Sequence, residues 1–348
     1  MMFKANSFLL FYAFSMQINF AYAGSSSCHH ALQIVVDKVE ENYVGFSDRT
    51  RDLVELAKVQ TDERIANSAK SDCLPFILQW LDAFSDPHLQ ATHFTLSAQS
   101  FDVSSSASQI PPKIEWLSNE VVLFVLPSFH QGHTDKFREL IDQHRHKLTL
   151  AKGMIVDLRG NRNGSFVAMF PAVELIGVGD YHSRWHVLSS TKNTDYYREL
   201  LTEDRLTQYP EQLKVFSRLV EEMDEYPNTW IEFTWPAINP MRTLSNLQHI
   251  YILQNDTVSF SGEEFIIAVS SNDKVTTFGS VTEGKLDYAE PISHQILGQY
   301  ILNIPSQKRV WYQLGPIDNV GIEPDLTLSI SEDEAVDFLY RKMVTKLN

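Results

Sequence analysis

The sequence predicts an α/β protein: a helical N-terminal cap, then a mostly parallel sheet with helices packed against it. Three observations carry that prediction. From Cys28 to Leu81 the apolar residues Leu32, Val35, Val36, Val39, Leu53, Leu56 and Ala57 recur at helical spacing, with no period-two alternation. After Asp86-Pro87-His88, short apolar runs alternate with amphipathic stretches, the order expected of strand–helix units. The composition, 43% hydrophobic and 21% charged over 348 residues, is that of a globular chain able to bury one large core or two modest ones.

Residues 1–23 stand apart. Lys4 is their only charge, Phe8 to Met16 is an apolar run, and Ala21-Tyr22-Ala23 places small residues at the positions a signal peptidase reads. A signal peptide over 1–23 is expected, and with it export, to a bacterial periplasm. No second apolar run is long enough to cross a bilayer, so no stable membrane anchor is expected. Cys28 and Cys73 are the two cysteines, an even count that an exported chain is free to oxidise. A bridge between them would close a loop around the first helices.

The cap spans 24–98. A Ser/Pro-rich connector, Ser100 to Pro112, follows, and the second domain covers 106–348. In it Val121–Val125, Met154–Asp157, His249–Leu253 and Val275–Phe278 read as strands, and Asp135–His146, Gly164–Leu175, Gly262–Val269 and Glu332–Lys346 as helices. Asp195 to Tyr226 is polar and helical and reads as an insertion carried on the outside. The net charge of −15 repels phosphate backbones and no basic run offsets it, which disfavours nucleic acid as a partner. His29, His30, His144 and His146 lack acidic or cysteine partners at ligand spacing, and neither a metal nor a cofactor is expected.

Two strand-to-helix junctions carry the candidate chemistry. At the first, Asp157-Leu158-Arg159-Gly160-Asn161 ends a buried strand in a glycine turn. Backbone N–H groups at such a turn point outward and suit a developing oxyanion; the plainer reading is a turn in which Asp157 pairs with Arg159. At the second junction Ser261 opens a helix. A serine there is commonly an N-cap, and Glu264 three residues on completes a capping box. A serine hydroxyl is a poor nucleophile at neutral pH, but a lysine desolvated in a closed pocket can be neutral enough to take its proton. Lys285, 24 residues after Ser261, is the candidate, although alone it would read as an exposed loop lysine.

Taken together and in this order, these residues resemble the tail-specific, or C-terminal-processing, serine peptidases, whose core is a crotonase-like or Clp-protease-like βα superhelix. Asp157 to Asn161 match the family's Asp-Leu-Arg-Gly-Asn letter for letter. Ser259, Ser261 and Glu264 match its Thr/Ser-x-Ser-x-x-Glu, and Gly279, Thr282, Gly284 and Lys285 its Gly-x-x-Thr-x-Gly-Lys. Gly321, Ile322, Pro324 and Asp325 match a later Gly-Ile-x-Pro-Asp, and Asp86 and His88 an earlier Asp-x-His. The resemblance implies a polypeptide substrate, Ser261 as nucleophile and Lys285 as general base. It further implies Glu264 as the carboxylate that positions them, and an oxyanion hole from the amides of Gly160 and Gly262. His88 is the alternative base, as in a Ser/His/Glu branch of the superfamily. Residues 89–112 are too few for the tail-binding domain that many members insert there. The rival reading is a catalytically inactive relative, a periplasmic peptide- or ligand-binding protein with the same cleft.

Overall fold

The computed structural model describes residues 27–48, 51–68, 70–94, 110–162, 164–178, 181–202, 210–235, 243–311 and 315–348. The predicted signal peptide over 1–23 and all but the last three residues of the predicted connector lie outside the described residues.

The fold is mixed α/β. Along the chain come α1 (residues 27–42), α2 (Arg51–Ala66), α3 (Leu74–Leu81), β1 (Gln90–His93), β2 (Lys113–Trp116) and β3 (Val121–Val125). Then follow α4 (Thr134–Leu148), β4 (Gly153–Asp157), α5 (Phe166–Ile176), β5 (Arg184–Leu188), α6 (Thr191–Leu200), α7 (Pro210–Glu225) and β6 (Trp230–Thr234). The last part holds β7 (His249–Gln254), α8 (Ser261–Ser270), β8 (Val275–Gly279), β9 (Tyr288–Ile296), β10 (Tyr300–Arg309), β11 (Leu326–Thr327) and α9 (Glu332–Leu347). Among the described residues no helix is long and apolar enough to cross a membrane.

The chain packs as two units. One gathers the described residues up to 94 with Trp185–Phe233 and Tyr288–Arg309. Its strands form a sheet in the order β1-β10-β5-β6, with β9 also paired to β10. Its core joins Leu32, Val35 and Val39 of α1, Ile77 and Trp80 of α3, and Leu302 and Ile304 of β10. The region read from sequence as an outer helical insertion thus contributes α6 and α7 to this unit, bracketed by two strands of its sheet. Leu53 and Leu56, placed on the buried face by the sequence pattern, are 58% and 52% exposed. α2 instead buries Val54, Thr61 and Ile65, seven and four residues apart along one side, so its inward face is offset from the 53/56 stripe.

Cys28 and Cys73 are joined by a disulfide across a separation of 45 residues, with both residues buried. Replacing both by alanine is expected to lower stability by about 4 kcal/mol, the chain entropy of closing a loop of that length. Urea unfolding of the two forms measures it, and equal midpoints would mean that the reduced unfolded chain is already constrained.

His294 of β9 is buried, and burial followed by the charges of Lys192 and Lys38 lowers its pKa to about 4, with Glu41 opposing. A histidine depressed in the folded state contributes stability that is present above its ordinary value of 6.5 and is lost as pH falls towards 4. The span corresponds to about 3 kcal/mol. His294→Gln is therefore expected to flatten the decline in urea midpoint between those pH values, and an unchanged slope would show that other groups cause it.

The second unit holds the described residues from 110 to 184, Thr234–Asp287 and Val310–Asn348. Its six-stranded sheet has the order β11-β8-β7-β4-β3-β2, parallel except for β2, which runs antiparallel to β3. Period-two alternation sends Met154, Val156, Ile250 and Ile252 to one face, where they pack with α4, α5 and α8. Ile155, Tyr251 and Leu253 go to the other face and meet Ala335, Leu339 and Met343 of α9. Both faces are covered, which is why these parallel strands read as unbroken apolar runs.

Candidate active site

β4 and β7 pair in parallel with Asp157 opposite Leu253, so the loops leaving them emerge at the same edge of the sheet. The carboxyl edge of parallel strands is where α/β folds place their ligands. The two loops are stitched together there: Ser259 N donates to Asn161 O and Ser259 Oγ to Arg162 O, each at 3.0 Å. Asn161 Nδ2 donates to Leu126 O at 2.8 Å, tying in the end of β3. Arg159 grips Asp157 through Nε and Nη2 at 2.9 and 2.7 Å, the pairing that the plainer sequence reading expects.

Phe260 precedes the serine with φ 53° and ψ −117°. L-residues rarely adopt this conformation, and holding one there costs about 1–3 kcal/mol. The turn makes Phe260 the N-cap and puts Ser261 at the first helical position of α8. The capping box is accordingly one residue earlier than predicted: Phe260 N donates to the Glu263 carboxylate at 3.1 Å. Ser261 is buried, and its Oγ has no hydrogen-bond partner among the described residues.

Glu263 joins this turn to the lysine loop. Besides Phe260 N, its carboxylate accepts from Thr282 Oγ1 at 2.6 Å, Gly284 N at 2.7 Å and Lys285 N at 2.9 Å. Burial pushes the carboxyl above the usual range, against the downward pull of these hydrogen bonds. Gly284 has φ +76°, and a Cβ there would stand 2.4 Å from Ile317 O, so the position requires glycine. Beyond the loop Leu286 N and Asp287 N donate to Asp318 Oδ1 at 2.7 and 2.8 Å, while Ile317 N and Asp318 N donate back to Asp287. Ile322 N donates to Thr282 Oγ1, and Asp325 accepts from Thr277, so the Gly-Ile-x-Pro-Asp segment braces the lysine loop from behind.

The predicted residues divide as follows. Phe260, the residue before Ser261, and Lys285 are joined through the Glu263 carboxylate, but the Lys285 ammonium is paired with Glu283 at 2.5 Å and does not bond to Ser261 Oγ. Glu264 is buried in a pocket with Phe166, Phe170, Tyr181 and Trp235 and bonds to neither of them; the linking carboxylate is Glu263. The Gly160 amide donates to Thr257 Oγ1 at 2.8 Å and the Gly262 amide to Ser259 O at 3.0 Å, so both assigned oxyanion donors already have acceptors here. His88 lies in the other unit. Its Nδ1 meets Asp86 Oδ1 at 2.8 Å, and Tyr43 Oη donates to Asp86 Oδ2 at 2.6 Å, with His88 and Asp86 side chains buried. Nδ1 bound to a carboxylate favours the tautomer with its lone pair on Nε2.

The sequence reasoning missed Glu263, Glu283 and the Asp287/Asp318 exchange. Correct placement of the N-cap at Phe260 is the signal that would have singled out Glu263.

Solved structures share this fold. The fold is similar to a lipoprotein from Streptococcus agalactiae, at 15% identity over 90% of this chain and 96% of that one, with a TM-score of 0.55. It is also similar to mature CPAF, at 11% identity over 92% and 96% with a TM-score of 0.60, and to a putative peptidase from Parabacteroides merdae, at 12% over 89% and 92% with a TM-score of 0.53. At such identities these likenesses bear on the fold alone. No curated protein matches the chain. The sequence profile of Peptidase family S41 matches residues 120–328, more than half of the chain and a span that contains Ser261 and Lys285. The chain belongs to peptidase family S41.

Proposed function

We propose that the protein is an exported serine endopeptidase of the tail-specific kind, in which Ser261 is acylated by a polypeptide substrate and Lys285, as the neutral amine, is the general base. The carrying observation is the Glu263 carboxylate, which binds the turn before the nucleophile and the backbone of the lysine together. The unbonded Ser261 hydroxyl supports the reading, because it is not committed to a structural role. The Cys28–Cys73 bridge supports export, since such bonds persist in oxidising compartments. In the reaction the Oγ–H proton passes to the lysine amine as the oxygen attacks the peptide carbonyl. The same proton then goes to the departing amine, and water releases the acyl group. The oxyanion would compete with Thr257 and Ser259 for the Gly160 and Gly262 amides.

His88, whose Nδ1 meets Asp86, belongs to the other unit and serves as the comparison. Casein hydrolysis by the chain from Gly24 onward, beside Lys285→Ala and His88→Ala, decides. Loss of about 100- to 10,000-fold is expected for Lys285→Ala. The same loss confined to His88→Ala would move the role to the histidine. A folded parent that cleaves no unfolded substrate would favour a binding protein built on the peptidase fold.

A further inference from the structure

We infer that Glu283 is a positioning residue that restrains Lys285 by pairing with its amine, and so slows the reaction of Ser261. The inference rests on the Ser261/Lys285 reading of the site.

The geometry is specific to two side chains on one turn. Glu283 Oε1 and Lys285 Nζ are 2.5 Å apart, and the two side chains are only 28% and 31% exposed. The backbone beneath them is fixed: Glu283 N donates to Val258 O at 2.9 Å, and Lys285 N is held by Glu263. The lysine cannot swing by moving its loop, so its partner is chosen by side-chain rotation alone. Among the described residues the buried Ser261 hydroxyl has no hydrogen-bond partner. Beside Lys285, Arg162 is the other charge that acts on Glu283, and the Glu263 carboxylate holds the Lys285 amide. Burial alone would raise the Glu283 carboxyl, but the hydrogen bond from Lys285 and the charges of Lys285 and Arg162 hold it below its ordinary value. Turnover then requires the ammonium to lose its proton to solvent and leave Glu283 before it can accept the Ser261 proton.

The test reads Ser261 directly. A fluorophosphonate probe forms a bond to a reactive serine oxygen with loss of fluoride and of the hydroxyl proton, and intact mass follows its rate against pH. Glu283→Gln is expected to speed labelling at neutral pH about fivefold, the worth of a partly exposed ion pair. Glu283→Asp, which keeps a carboxylate, is expected to restore the parent rate. In the parent, about 1 M salt weakens the pair and is expected to act in the direction of Glu283→Gln, a readout that needs no variant to fold. An unchanged rate in Glu283→Gln and in high salt, with labelling absent in Ser261→Ala, would overturn the restraint and leave the nucleophile standing. Lys285→Met with the parent's profile would instead remove the lysine as base, and the restraint with it.

Discussion

Ser261→Ala is expected to lower peptide hydrolysis by about a millionfold while leaving the protein as stable as the parent, or more so. The loss of rate follows from acyl-enzyme chemistry, where the nucleophile works with its base as a unit and its removal alone forfeits most of what the unit supplies. The stability side follows from the structure. Among the described residues the buried Ser261 oxygen has no hydrogen-bond partner, and a buried hydroxyl in that state costs about 1–3 kcal/mol relative to a paired one. Alanine removes the oxygen and leaves no partner behind, because none was bonded to it. The strained Phe260 that presents the serine is a second cost at the same turn. Activity and melting temperature should therefore part company. A variant that loses activity only because it melts earlier would show Ser261 to be structural, and one that retains hydrolysis would remove it from the chemistry.

The parallel sheet was legible because burial on both faces leaves continuous apolar runs, as in Val121–Val125 and His249–Leu253. β10 was not. It is almost wholly buried, yet Asn303, Ser306, Gln307 and Arg309 are among its buried residues, and Pro305 interrupts the pattern. On one edge it lies opposite Pro291 of β9, and on the other it falls in the gap between β1, which covers residues 300–303, and β5, which covers 307–309. Such a strand is defined by its neighbours more than by its own letters. The site shows the same limit on a smaller scale. The motifs around Ser261 and Lys285 drew attention to two loops that Glu263 joins, but which of two adjacent glutamates joins them turns on one residue of helix register. Moving the N-cap from Ser261 to Phe260 moves the third helical position from Glu264 to Glu263, about 100° around the axis. A serine is the better N-cap by propensity, and only the strained Phe260 turn, imposed by the loops packed beneath it, overrides that preference.

Glu263→Ala is expected to cost about 3–5 kcal/mol and to lower the melting temperature by about 10 °C. The carboxylate is fully buried and accepts from three backbone amides and one hydroxyl, and alanine leaves these donors facing a void. Glutamine should rescue little. Oε1 accepts from Thr282 and Gly284, and Oε2 from Phe260 and Lys285, so whichever oxygen becomes an amide nitrogen then faces backbone N–H groups. Thr282 can rotate its hydroxyl, but the amides cannot turn away. Because the same carboxylate couples the nucleophile turn to the lysine loop, the variant should also lose hydrolysis at temperatures well below its melting point, through geometry and not through unfolding. A stability loss near 1 kcal/mol with full activity would mean that the two loops hold their positions without Glu263. Loss of activity in Glu263→Gln with little loss of stability would place the network's importance in alignment alone. Ser261 and Glu263 then make opposite predictions from neighbouring positions on one helical turn: the first is dispensable for the fold and needed for the reaction, the second needed for both.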